Sequence, residues 1–286
     1  MKRESPQEPA ALPLGGGKRR SLEIPSSGPL YEGHFPGRPI LPGVGLLDLA
    51  LRSLSTGASP ALREITTLRL RRPVAPGDVL ELDVQAFAPD GRVRFEVRRA
   101  DEVVANGVVL LGVPSSGTDA ATPPREPPPA AGRATLARGP RPASGVPVLD
   151  DLLPHRPPMR FVEEIVTETD GGVVCAVRVP ERSAFGAEGS APALVALEMA
   201  AQSAAIFEAL HRFRETGDTG PRIGYLVGAR DVHFARARLP AGETLFAAVR
   251  LSGIALPLCT YAFDVRLGSD VVASGTVSTW LTATDA

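Results

Sequence analysis

The stretch that organises this chain reads Tyr31-Glu32-Gly33-His34-Phe35-Pro36-Gly37-Arg38-Pro39-Ile40-Leu41-Pro42-Gly43-Val44-Gly45-Leu46-Leu47-Asp48. Its three prolines fix their own φ angles and bias the preceding residues towards extended geometry, so the first part of the stretch cannot be helical. A helix can begin only after Pro42, and from there apolar residues recur at helical spacing. The stretch therefore predicts a rigid loop that feeds a buried helix over residues 44–54.

The loop and the helix start carry the groups that proton transfer next to a carbonyl requires. His34 is a side chain that titrates near neutral pH, and Asp48 is a carboxylate about one turn inside the helix. Gly43 would offer a backbone N–H at the positive end of the helix, with no side chain to keep a substrate away. These three residues are candidates for a catalytic site, with the Gly43 N–H facing a developing negative oxygen.

Composition excludes some classes of function. The chain has 286 residues, enough for two domains, and a formal net charge of −1, which favours neither a nucleic-acid nor a membrane-surface partner. Its two cysteines, Cys175 and Cys259, lie in separate apolar runs and are expected to be buried free thiols in a reducing compartment. The most apolar stretch, residues 191–207, is interrupted by Glu198 and Gln202, so we expect no membrane span and a cytoplasmic location.

The organising stretch resembles the active-site segment of the hot-dog-fold 3-hydroxyacyl-[acyl carrier protein] dehydratases. The resemblance rests on Gly33-His34-Phe35-Pro36, Pro39-Ile40 and Pro42-Gly43-Val44, with an acid fourteen residues after the histidine. It implies His34 and an acid as catalytic groups and requires no metal or organic cofactor. Tyr31, Phe35 and Val44 would line the substrate tunnel, although an aromatic residue beside such a loop can serve for packing alone.

The rest of the chain predicts an α+β double hot-dog, in which two antiparallel sheets each wrap round a central helix and pair as a pseudo-dimer. After the first helix the apolar period switches to two, which is typical of an antiparallel meander. The second half repeats this order, with a longer and more deeply buried helix over residues 193–213. The expected domains are a disordered tail (1–17), a hot-dog domain (18–113), a Pro/Ala-rich linker (114–147) and a second hot-dog domain (148–286).

The second half opens with Leu152-Leu153-Pro154-His155-Arg156, which resembles the start of the same dehydratase family. We expect His155 to have a structural role, hydrogen-bonding to the loop backbone. Several arginines lie near repeated turns, and we expect them either to meet the acidic surface of a carrier protein or to form a solvated strand face: Arg69, Arg71, Arg72, Arg236 and Arg238.

The repeat breaks at the histidine. When Glu198 is aligned with Asp48 as the helix acid, Ala184 takes the position of His34. In this family each site combines a histidine from one domain with an acid from the other, so the resemblance implies one working site, His34 with Glu198. The other pair, Ala184 with Asp48, would be vestigial, and Asp48 stays open as the alternative working acid. Glu198 is expected to have a raised pKa because of burial, and Gln202 to lie beside it along the tunnel.

The resemblance implies dehydration of 3-hydroxyacyl thioesters to trans-2-enoyl thioesters, with the acyl chain carried on the phosphopantetheine arm of an acyl carrier protein. The chain looks like a gene fusion of the catalytic and histidine-less dehydratase subunits of aryl-polyene-type pathways. Fatty-acid, polyene and polyketide-like biosynthesis all stay open, as do acyl chain length, coenzyme A as the carrier, isomerisation and further homo-oligomerisation. Two alternatives are a hot-dog acyl thioesterase and a non-catalytic partner that binds the carrier protein.

Overall fold

The computed structural model describes residues 18–54, 61–88, 90–112, 147–186, 189–218 and 220–282. The predicted tail, and the predicted linker up to residue 146, lie outside these residues. The first half contains β1 (Lys18–Glu23), α1 (Gly43–Ser53), β2 (Ala61–Leu70), β3 (Val79–Phe87), β4 (Arg92–Arg99) and β5 (Glu102–Gly112). The second half contains α2 (Leu149–Leu152), β6 (Val162–Thr169), β7 (Gly172–Val177), β8 (Ser190–Pro192), a 3₁₀ turn (Ala193–Val195), α3 (Ala196–Thr216), β9 (Gly224–Phe234), β10 (Arg238–Pro240), β11 (Leu245–Ala255), β12 (Leu258–Leu267) and β13 (Asp270–Leu281).

Helix α1 begins at Gly43, directly after the last proline of the loop. Pro42 keeps an extended backbone (φ −55°, ψ 141°), and its carbonyl accepts the first helical hydrogen bond, from the N–H of Leu46 at 3.0 Å. The helix buries Leu46 and Leu47 together with the residues one turn further on. The predicted loop and helix are thus both present, and the helix starts one residue earlier than the pattern suggested.

The strands of the two halves join into one antiparallel sheet. Within the described residues it has eleven strands in the order β1-β3-β4-β5-β2-β9-β13-β12-β11-β7-β6, and β8 pairs separately with β10. The joint between the halves is the antiparallel pair of β2 with β9, in which Glu64 faces His233 and Arg69 faces Gly228. The two expected sheets are therefore continuous through their edges, which leaves neither of these edge strands unpaired.

Helix α3 is the longer of the two main helices, with 21 residues against 11 in α1. It packs against β7, β11, β12 and β13 and ends at Gly217, whose φ of 73° is the left-handed conformation that favours glycine. With the 3₁₀ turn it is long and apolar enough to cross a membrane by length and composition, but 83% of its apolar window is buried inside the protein. Such burial is what the core helix of a folded domain shows.

Candidate active site

The loop before α1 fixes His34 through its backbone and one ring nitrogen. The N–H of Ile40 donates to the His34 carbonyl at 3.2 Å, and Nδ1 of His34 lies 3.0 Å from the Ile40 carbonyl oxygen. Since a carbonyl only accepts, Nδ1 carries the proton and Nε2 of the neutral ring keeps the lone pair that a base needs. The ring of Phe35 stacks on the imidazole, with the two centroids 4.2 Å apart.

Burial keeps His34 neutral. The residue is 6% exposed, and burial lowers the pKa of its imidazole to about 4, against the opposing attraction of Glu198. His155 adds to the lowering. At neutral pH the ring is therefore a proton acceptor.

The His34 loop rests on the loop that opens the second half. The N–H of Arg156 donates to the carbonyl of Gly33 at 3.0 Å. Gly33 has a φ of 81°, and a Cβ on it would lie 1.9 Å from the Arg156 carbonyl oxygen. Only glycine permits this approach, so the sequence Gly33-His34 brings the histidine against the second half of the chain.

Glu198 lies in the first turn of α3 and is 3% exposed. Its Oε1 accepts hydrogen bonds from Nε2 of Gln202 at 3.1 Å and lies 3.2 Å from Nε2 of His155. The fully buried Gln202 also donates to the Met159 carbonyl at 2.7 Å and accepts from the Phe161 N–H at 2.9 Å. The amide thus links Glu198 to the loop after α2.

The expectation of a raised pKa for Glu198 is wrong. Burial does act to raise it, but the hydrogen bond and charge of His155, with help from His34 and Gln202, outweigh burial and lower the pKa of Glu198 to about 2. The sequence showed an acid in an apolar helix but not the imidazole placed against it. Glu198 is consequently a carboxylate at neutral pH.

His155 lies beside His34 and Glu198, although the sequence predicted only a hydrogen bond to loop backbone for it. It is 6% exposed, its ring centroid lies 5.3 Å from that of His34, and its Nε2 contacts Glu198 instead of loop backbone. The predicted hydrogen bond to loop backbone is therefore corrected to a contact with Glu198. The signal that pointed to the site was its position in the Leu-Pro-His-Arg opening, which the sequence analysis had already connected with the dehydratase family.

His34, His155 and Glu198 meet in one place, with their potential ligand atoms all within 4.8 Å of one another. All three line a cavity of about 490 Å³. The other residues lining it are Ile40, Leu41, Gly43, Leu46, Leu70, Arg71, Arg72, Pro73, Val74, Ala201, Gly224, Tyr225, Leu226, Val227 and Trp280. The two predicted partners, His34 from the first half and Glu198 from the second, are thus brought together.

Gly43 stands at the cavity wall as the first residue of α1, where a backbone N–H has no carbonyl partner within the helix. A Cβ at this position would come within 2.4 Å of Cδ1 of Leu70. The missing side chain keeps this part of the wall open for an incoming oxygen.

Four residues predicted to line the tunnel are not among the described residues that form the cavity wall. Tyr31 donates its hydroxyl proton to the Pro25 carbonyl at 2.5 Å, and Phe35 stacks behind His34. Val44 is 1% exposed in the core, and Gln202 is taken up by its hydrogen bonds. None of the four is thus placed on the wall of this cavity, and their contact with a substrate tunnel stays a prediction.

The second possible site, Asp48 with Ala184, has no histidine, and its acid is paired with an arginine. Asp48 is 8% exposed, and its Oδ2 lies 2.8 Å from Nε of Arg52, which occupies the position that Gln202 has in α3. Burial raises the pKa of Asp48, and Arg52 opposes that shift. Asp48 does not line the described cavity, and Ala184 packs against the hydrophobic core.

Comparison with known proteins gives a family for each half. Residues 18–108 match the ApeI-like family model (ApeI dehydratase), and residues 147–285 match the ApeP-like family model (ApeP dehydratase). The 3-hydroxyacyl-[acyl-carrier-protein] dehydratase FabZ of Moorella thermoacetica is 35% identical over 96 residues, which are 29% of this chain and 66% of that protein. FabZ of Psychromonas ingrahamii is 42% identical over 97 residues, 29% of this chain and 64% of that protein. The chain spans about half to two thirds of the length of the curated relatives it matches.

A solved structure matches almost the whole chain. The dehydratase domain of PpsC from Mycobacterium tuberculosis, in complex with C12:1-CoA, has a TM-score of 0.61 at 16% identity and covers 94% of this chain and 96% of its own. This likeness confirms the predicted double hot-dog fold. The chain therefore belongs to the hot-dog-fold dehydratases, with an ApeI-like first half and an ApeP-like second half.

Proposed function

We propose that this chain dehydrates 3-hydroxyacyl thioesters to trans-2-enoyl thioesters. The observation that carries the proposal is the meeting of His34 and Glu198, one from each half, in a cavity that Gly43 also lines. A neutral imidazole, a carboxylate and an unpaired helix N–H are the groups that elimination next to a thioester carbonyl needs.

The residues divide the reaction between them. The thioester oxygen faces the N–H of Gly43, which stabilises the enolate-like charge as Nε2 of His34 takes the proton from C2. The bond from C3 to the hydroxyl oxygen breaks as the C2–C3 double bond forms, and the departing oxygen takes the proton that His34 removed from C2. Water and the enoyl thioester leave, and His34 is neutral again. Glu198 is ionised, so it accepts a hydrogen bond from the hydroxyl group and orients it. Glu198 is therefore the carboxylate of the working site, and Asp48 is vestigial.

We also propose that an acyl carrier protein delivers the substrate. The curated relatives are named as acyl-carrier-protein dehydratases, and Arg71 and Arg72 lie on the cavity wall, where they suit an acidic partner. Biosynthesis of a fatty acid or a polyene in the cytoplasm fits such a substrate. The two domains would be residues 18–113 and 148–286, joined by residues 114–147 and paired within the chain.

The test is turnover of a 3-hydroxyacyl thioester by the wild-type protein and three variants, each checked for folding. His34→Ala should lower the rate by about 10²- to 10⁴-fold, Glu198→Gln by at least about tenfold at neutral pH, and Asp48→Asn should stay within about threefold. Loss of activity in Asp48→Asn, with Glu198→Gln active, would make Asp48 the working acid. Release of free acid instead of the enoyl thioester would identify a thioesterase, and no turnover at all a non-catalytic carrier-binding protein.

A further inference from the structure

His34, His155 and Glu198 also form a set of metal-ligand side chains. One nitrogen of each imidazole and one carboxylate oxygen lie within 4.8 Å of one another, and all three residues are buried. Two imidazoles and one carboxylate, with a further position left open, are the donor set of many zinc sites. Because ligands of a tetrahedral Zn²⁺ ion lie roughly 3.3–3.6 Å apart, small rotations of these side chains would close the set around one ion.

The hydrogen bonds behind two of the side chains are those that hold metal ligands in position. The Nδ1–H of His34 donates to the Ile40 carbonyl at 3.0 Å, which leaves the lone pair on Nε2. Oε1 of Glu198 accepts from Nε2 of the buried Gln202 at 3.1 Å. A ligating imidazole usually donates its other N–H to a carbonyl or carboxylate, and a ligating carboxylate is itself hydrogen-bonded. His34 and Glu198 are therefore oriented as ligands of one ion would be.

His155 provides an independent observation. Its Nδ1 is buried and has no hydrogen-bond partner within the described residues, while its Nε2 lies 3.2 Å from Oε1 of Glu198. A buried imidazole nitrogen without a partner is costly in a folded protein. A cation bound here, together with the water it carries, would provide that partner, and the cavity of about 490 Å³ that these residues line has room for both.

The other two histidines of the chain lie in poorer surroundings for a metal ion. Nδ1 of His211 lies 3.4 Å from Glu215 on an exposed part of α3, and Nδ1 of His233 lies 3.8 Å from Glu64. Each of these pairs offers one imidazole and one carboxylate. Among the residues that the structure describes, three such side chains come together only at the cavity.

We propose that His34, His155 and Glu198 bind one Zn²⁺ ion and that this ion inhibits the enzyme. The inhibition rests on the proposed function. Imidazole nitrogens favour Zn²⁺ over Mg²⁺ and Ca²⁺, which take oxygen ligands. The ion would occupy Nε2 of His34, whose lone pair takes the C2 proton, so the metal-bound protein cannot start the elimination. The ion therefore acts as an inhibitor of this reaction and not as its cofactor.

Calorimetric titration of the metal-free full chain with Zn²⁺ measures binding without reference to activity. We expect one ion per chain and at least about 100-fold weaker binding in His155→Asn and in Glu198→Gln, since loss of even an outer partner of a ligand costs about 10- to 100-fold. His211→Asn is the matched control and should bind as wild type, because this histidine has a carboxylate neighbour but does not line the described cavity. Absence of binding by the wild type, or binding lost in His211→Asn and kept in the cavity variants, would overturn the proposal. Glu198→Gln preserves the shape of the side chain and keeps the test decisive should His155→Asn fail to fold.

Inhibition is measured as turnover of a 3-hydroxyacyl thioester while Zn²⁺ is added and then removed with a chelator. The rate should fall in proportion to the occupied sites and return on chelation, and Mg²⁺ at the same concentration should leave it unchanged. Equal inhibition by Mg²⁺, or full activity with the site occupied, would contradict the inhibitory role. A wild type that binds Zn²⁺ through these three residues but never forms an enoyl thioester would contradict the proposed function alone and leave the metal site in place.

Discussion

The backbone N–H of Arg156 donates a 3.0 Å hydrogen bond to the carbonyl oxygen of Gly33, and this bond joins the two loops that carry the site histidines. His34 follows Gly33 in one loop, and His155 precedes Arg156 in the other. This backbone hydrogen bond therefore limits how far the two imidazoles can move apart.

Replacing Gly33 should separate these loops. In Gly33→Ala the new Cβ would lie 1.9 Å from the Arg156 carbonyl oxygen at a φ of 81°, so the backbone must move. We expect activity to fall by at least about tenfold, since misplacement by about 1 Å can cost as much as 100-fold. The control is Gly37→Ala in the same loop, which has a similar φ of 77° but no atom within 4 Å of the new Cβ. Equal rates in the two variants would show that contact with Arg156 does not position the site.

Gln202 should contribute to stability as well as to the site. Gln202→Leu leaves the Phe161 N–H and the Met159 carbonyl without their partner, and each buried orphan costs about 1–3 kcal/mol. We expect urea denaturation to show a loss of about 2–5 kcal/mol in the free energy of unfolding. The neighbouring Ser203→Ala is the control, because this buried hydroxyl bonds the Met199 carbonyl and the Cys175 thiol, neither of which lies in the loop after α2. A loss no larger in Gln202→Leu than in Ser203→Ala would contradict the bridging role.

The buried His34 predicts a specific dependence of stability on pH. Its pKa is about 4 in the folded protein and about 6.5 when unfolded, so between these values the unfolded state binds more protons. The free energy of unfolding should therefore fall as the pH drops from 6.5 to 4, by up to about 3 kcal/mol from this group. Glu198, whose folded pKa is lower than its unfolded one, adds a further loss between about 4.5 and 2.

The difference between wild type and His34→Asn isolates the histidine contribution. Urea midpoints measured at pH 7, 5.5 and 4.5 should fall less steeply for the variant than for wild type. Parallel curves over this range would mean that the imidazole is not buried in its neutral form.

The arginines on the cavity wall predict how substrate is delivered. Arg71→Glu should raise KM for a carrier-protein substrate by about tenfold, because reversing a rim charge slows association with an acidic partner. A small acyl thioester without a carrier should be turned over as before. Arg250→Glu, an exposed arginine on β11 that does not line the described cavity, is the matched control. An equal effect of Arg71→Glu on both substrates would assign the arginine to the pocket itself. No effect on either substrate would assign it to a solvated strand face.

Part of the site could be predicted from the sequence because local rules determine it. Pro42 fixed the start of α1. The alignment of the two halves, together with the crossed site that the family resemblance implies, led to Glu198 as the partner of His34 from the other half. The features that could not be predicted from the sequence depend on contacts between distant segments. The pKa of Glu198 is governed by an imidazole from a loop far upstream, and no periodicity shows which face of that loop His155 occupies. The pairing of β2 with β9 likewise follows from how the halves dock.

The joint between β2 and β9 has a consequence for how such a protein behaves on dilution. When two separate subunits each supply half of a site, the fraction of complete sites falls as their concentration falls. Here one polypeptide supplies both halves, so their encounter is intramolecular and its effective concentration is set by chain length, at millimolar levels for short flexible connections. Equal stoichiometry of the two halves is also guaranteed by synthesis. The pairing of an ApeI-like with an ApeP-like half thereby becomes a property of folding instead of a binding equilibrium between two gene products.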